Sequence, residues 1–82
     1  MADVVFTEHA KDVLTERSIP EEWVWRTLDI PDTRRTGTDG NKHYTKAIVE
    51  NEGRILRVVV NESVEPKRIV TVFFDRRLRR KK

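Results

Sequence analysis

The stretch Arg54-Ile-Leu-Arg-Val-Val-Val-Asn61, followed after a polar break by Arg68-Ile-Val-Thr-Val-Phe-Phe-Asp75, decides how the rest of this chain folds. Both runs are rich in β-branched and aromatic residues and too short for independent helices, so they read as β-strands. Glu62 to Lys67 is the loop between them, and its Pro66 cannot donate to a ladder. A hairpin joins the two strands at least cost. Side chains alternate across a sheet, so Leu56, Val58 and Val60 share one apolar face with Val70, Val72 and Phe74. That face demands a cover. The other face takes Ile55, Arg57, Val59 and Asn61 with Ile69, Thr71, Phe73 and Asp75, and parity sets Arg57 across from Thr71 or one diagonal step away.

The cover comes from the N-terminal third. Asp3-Val-Val-Phe6 fits an edge strand or a lead-in, and Thr7 suits a helix N-cap. From Glu8 to Arg17 the apolar Ala10, Val13 and Leu14 recur at helical spacing, which predicts an amphipathic helix. Ser18-Ile-Pro20 breaks it. Pro20, Glu21 and Glu22 suit the first turn of a second helix with Val24, Thr27 and Leu28 inside, ending at Asp29 or Ile30 before Pro31. Trp23 and Trp25 flank that stripe, so at least one packs on the sheet while the other stays partly exposed.

Thr33–Thr36 and His43–Glu50 read as strands around the Gly37–Asn41 turn, and Asn51-Glu-Gly53 closes a hairpin onto Arg54. Its register has two readings. A three-residue loop with Gly53 left-handed sets Ala47 opposite Arg57 and brings His43 and Thr45 to the arginine's face. A two-residue Glu52-Gly53 turn sets Ile48 there and brings Tyr44 and Lys46 instead. The three-residue loop is favoured because it lays Ile48 against Leu56. The whole is an α+β domain over residues 1–75: two N-terminal helices on one face of a twisted antiparallel sheet of three to four strands, with the optional N-terminal edge strand, then a basic tail, 76–82.

Composition narrows the function. An 82-residue chain fits one domain and buries only about 60–65% of its unfolded surface. The absence of cysteine removes disulfides, thiolate metal sites and thiol redox chemistry. No export signal or membrane span is legible, so a cytoplasmic protein, monomer or homodimer, is expected. Six of the 17 Lys and Arg lie after Asp75, leaving eleven basic against fourteen acidic residues in 1–75. The tail either holds phosphates without sequence preference or stays solvated.

Cleavage of RNA through its own 2′-hydroxyl needs a base, an acid for the leaving oxygen and a cation for the charge growing on phosphorus. His9, in the first turn of a helix whose dipole disfavours imidazolium, is one base; His43 or Lys46 and Arg57 supply the rest, with Thr71 to orient either His9 or Arg57. No metal-ligand spacing and no cofactor signature is present.

Phe6-Thr-x-His9-Ala10, Arg17-x-Ile19, then Val24, Leu28 and Pro31, then Arg54-x-Leu56-Arg57-Val58-Val59 and Val70-Thr71-Val72-Phe73, resembles a family of small bacterial and archaeal domains related to the RelE/ParE and BrnT toxins. The resemblance runs from Val5 to Phe74. It implies a RelE-like fold with an open sheet face, an RNA or ribosome substrate and an antitoxin partner. It also implies a strand arginine at Arg57 and a helical His-Ala at His9; basic contacts to nucleic acid are expected from Arg17 and, by charge, from Arg76, Arg77, Arg79, Arg80, Lys81 and Lys82.

Overall fold

The computed structural model describes residues 4–77. Strand β1 (Val4–Phe6) leads into helices α1 (Glu8–Glu16) and α2 (Glu21–Asp29), then strands β2 (Thr33–Thr36) and β3 (Lys42–Ile48). A 3-10 turn (Val49–Asn51) joins β3 to β4 (Arg54–Asn61), and β5 (Lys67–Phe74) follows. The sheet order is β1-β5-β4-β3-β2, antiparallel throughout except that β1 runs parallel to β5. Five strands stand where three to four were expected, and the sheet is mixed. The physical reason is the outer edge of β5, whose backbone groups the hairpin leaves unpaired; β1 satisfies part of that edge before the chain departs into the helices.

Thr7 ends β1 and starts α1 at once. Its hydroxyl accepts from the Ala10 amide (3.1 Å) and donates to the Ile69 carbonyl (2.9 Å), so the N-cap also pins the helix to β5. Ser18, at φ 53°, closes α1 with the paired bonds of a Schellman end: its own amide donates to Thr15, and the Ile19 amide donates to Leu14 (2.9 Å). Ile19 is thereby turned into the core. Helix α2 runs from Pro20 as N-cap to Ile30 as C-cap, ending where Pro31 requires.

Ala10, Ile19, Val24, Ile48, Leu56, Val58, Val60, Ile69 and Val72 form one buried cluster between the helices and the sheet. Trp23 packs on it edge-to-face with Phe74 (6.1 Å), while the more exposed Trp25 meets Phe6 (5.3 Å). Simple alternation fails at one place on β5. Val59 pairs with Thr71 but Val60 pairs with Ile69, so Val70 is the extra residue of a β-bulge. Ile69 is therefore the buried residue and Val70 is only half-buried, the reverse of the expected parity.

The β3–β4 connection also differs from both sequence readings. Ile48 pairs with Arg54, so five residues, Val49 to Gly53, make the turn, with Glu52 and Gly53 both left-handed and the Gly53 amide donating to Ile48 (2.9 Å). Thr45, not Ala47, faces Arg57, and Lys46, not Ile48, faces Leu56. Arg26 of α2 draws the longer turn inward by gripping Glu50 through both carboxylate oxygens (2.7 and 2.8 Å), which holds that carboxyl down to about 2. The shift is by two residues, so the faces survive it. Among the described residues no helix is long and apolar enough to cross a membrane.

A serine at φ 53° carries a Cβ that the left-handed region disfavours, and glycine does not. Ser18→Gly is expected to stabilise the protein by about 0.5–1 kcal/mol, and Ser18→Val to destabilise it. The midpoints of urea unfolding check both.

Candidate active site

The face that no helix covers is laid out in rows across the strands. One row holds Arg35, His43, Val59 and Thr71; the next holds Thr33, Thr45, Arg57 and Phe73. Ala47, Ile55 and the residue after β5, Asp75, follow, with the Asp75 amide donating to Ile55 (2.9 Å). Thr33 and Thr45 share a hydroxyl hydrogen bond. Val59 and Thr45 are 4% and 5% exposed despite the lack of a helical cover.

Arg57 is the hub. Its Nε and Nη2 both lie 2.9 Å from Oδ2 of Asp75, and its Nη1 lies 3.1 Å from Nδ1 of His43. A guanidinium only donates, so Nδ1 is the acceptor and the imidazole proton sits on Nε2. That nitrogen donates to Oδ1 of Asp39 (3.3 Å). Asp39, His43, Arg57 and Asp75 thus form one line in which the imidazole and the guanidinium are each backed by a carboxylate. The side chains of Arg57 and Asp75 are 16% and 3% exposed. Burial alone would push the Asp75 carboxyl up, but the Arg77 amide (2.9 Å) and the Arg57 guanidinium outweigh it and hold the group below the ordinary carboxylate value.

The turn before β3 is shaped around His43. A Cβ on Gly37 would come within 2.6 Å of Nε2, so any other residue there would displace the ring. The Asn41 amide donates to Asp39 (2.9 Å) and, with His43, holds that carboxyl below its usual value. Gly37 also donates to the Asn41 carbonyl (2.8 Å), which closes the turn.

Of the residues singled out from sequence, the fold brings His43, Arg57 and Thr71 to one face. Thr71 lies diagonal to Arg57, opposite Val59, and among the described residues its hydroxyl bonds to neither Arg57 nor His9. His9 is exposed in the first turn of α1, on the helix layer that covers the opposite face. Lys46 also belongs to the covered face, where its Nζ caps the end of α2 at the Ile30 carbonyl (2.9 Å). The register decides this, since any odd-length loop sends Lys46 away from Arg57. Arg17 is exposed at the C-cap of α1, and Arg76 and Arg77 are exposed after β5. Arg79, Arg80, Lys81 and Lys82 lie outside the described residues.

Sequence reasoning missed Asp39, Gly37 and Arg35, and it noted Asp75 without assigning it a role. The spacing of Asp39 and His43, four apart around Gly40, was the one local signal available. Asp75 meets Arg57 across 18 positions, which only the strand pairing reveals.

The chain belongs to the family described as a domain of unknown function, DUF4258, whose model matches residues 6–74. No curated protein and no solved structure matches it. The matched span takes in Asp39, His43 and Arg57 and stops one residue short of Asp75.

Removing one partner of a buried pair strands the other charge. Asp75→Ala is expected to cost about 3 kcal/mol of stability at neutral pH. Because folding lowers the Asp75 value, this contribution is complete above the ordinary carboxylate value of 3.8 and is lost as pH falls through the folded value. Denaturant unfolding at pH 7 and pH 3 checks it: the gap between wild type and variant should narrow at the lower pH.

Proposed function

We propose that this domain is a toxin-like, metal-independent endoribonuclease or translation inhibitor acting on RNA, of the RelE/ParE and BrnT type, with the uncovered sheet face as its active site. The observation that carries the reading is the 3.1 Å contact between Arg57 and Nδ1 of His43 on that face, with a carboxylate behind each. An incoming phosphodiester competes for the guanidinium. As Nη1 turns to a phosphate oxygen, Nδ1 is freed, and it takes the proton from the adjacent 2′-hydroxyl while Asp39 keeps the other ring nitrogen protonated. The 2′-oxygen bonds to phosphorus, the bond to the 5′-oxygen breaks, and the imidazolium returns its proton to that leaving oxygen. The products are a 2′,3′-cyclic phosphate and a 5′-hydroxyl. Arg57, held in place by Asp75, meets the charge that grows on phosphorus.

This assignment moves the base from His9 to His43, because His43 is the histidine that shares a face with Arg57. The base, the acid and the cation all come from side chains. An antitoxin covering this face, an RNA or ribosomal substrate and a cytoplasmic site of action complete the proposal.

A second reading has its own support. Asp75 already neutralises Arg57, and both ring nitrogens of His43 are engaged, as in a structural network beneath a surface that binds RNA without cutting it. His43→Gln separates the two, because glutamine keeps an acceptor for Arg57 and lacks the base. Cleavage of an end-labelled RNA should fall at least about 100-fold while affinity stays within a few-fold. Wild-type protein that binds the RNA and never cuts it would leave the binding module standing.

A further inference from the structure

Arg57 brings little net charge to the open face, since Asp75 balances it. A strand of RNA carries a phosphate at every step, and holding the phosphates beside the one at Arg57 takes further cations that no carboxylate has already claimed. Arg35 and Arg68 are exposed arginines on this face, and among the described residues neither is paired with a carboxylate. Arg68 stands beyond the bulge, between Asn61 and Val5, two strands away from His43. Arg35 is the direct cross-strand partner of His43. Its neighbour Arg34 pairs with Tyr44 and therefore projects from the other face, where its charge acts on the Tyr44 phenol.

From this placement we propose that Arg35 is a second phosphate subsite, which binds the RNA phosphate next to the one held by Arg57. The proposal rests on the RNA-directed reading above and extends it to a residue of the edge strand. Arg57 and Arg35 are two strands and one row apart, a span of about 12 Å that two arginine side chains bridge toward successive phosphates of an extended strand. The ligand class is single-stranded RNA, because an open sheet face offers unstacked nucleotides a surface that a duplex groove does not need. Phe73, half-buried in the row of Arg57, supplies an apolar ring beside the same path.

Arg34 and Arg35 make a built-in control, adjacent in sequence, identical in charge and opposite in face. Binding of a short fluorescent single-stranded RNA is measured by anisotropy between 50 and 300 mM salt, for wild type, Arg35→Ala, Arg35→Lys and Arg34→Ala. Arg35→Ala is expected to weaken binding about fivefold at 0.1 M salt and to reduce the slope of log affinity against log salt by about 0.7, with Arg35→Lys restoring the slope. Arg34→Ala should match wild type. Equal losses in both alanine variants, or none in Arg35→Ala, overturn the subsite. RNA binding by wild type with the Arg35 dependence but without cleavage leaves the subsite intact and sinks only the nuclease chemistry. Absence of any binding by wild type overturns both.

Discussion

Strand β4 is paired on both sides, and its alternation cannot be relaxed without exposing the core. Leu56, Val58 and Val60 lie under the helices, while Arg57 projects from the other face. A slip of one residue would expose three apolar side chains, at about 1.5–3 kcal/mol each, and drive a guanidinium beneath α1 and α2. The alternative is not competitive. Everything that gathers around Arg57 follows from this parity, including the arrival of His43 and Thr45 from β3 and of Phe73 and Thr71 from β5.

The site is assembled from parts that are remote in sequence. Asp39 and His43 come from one turn and strand, Arg57 from the next strand, and Asp75 from the end of the last. The line of four runs acid, base, base, acid, so a proton or charge change at one member is felt by its neighbours. The same logic fixes the margins of the fold. Arg26 ties α2 to the β3–β4 turn through Glu50, and Lys46 ties β3 to the end of α2 through the Ile30 carbonyl. On the covered face Tyr44 donates to Glu62, and burial together with that carboxylate pushes its phenol up to about 12, which leaves it a structural donor.

Electrostatics separate two kinds of arginine on the uncovered face. Arg57 is largely buried, neutralised by Asp75 and held against His43. Arg35 sits exposed on an edge strand whose four residues are all open to solvent. One is positioned, the other is available.

Local pattern was enough for the elements: the Thr7 cap, the helix breaks at Pro20 and Pro31, the strands centred on Val58 and Val72, and the sorting of Arg57 away from the apolar face. These are properties of spacing along a few residues, where propensity, capping and alternation act directly. What the tertiary structure alone decided was pairing at long range. The parallel edge strand, the bulge at Val70, the five-residue turn that sets Thr45 opposite Arg57, and the meeting of Arg57 with Asp75 all depend on which backbone groups find partners across the sheet. A short-range pattern records which face a side chain prefers, but not which residue of another strand stands beside it, because that choice is made by loop closure and packing over the whole domain.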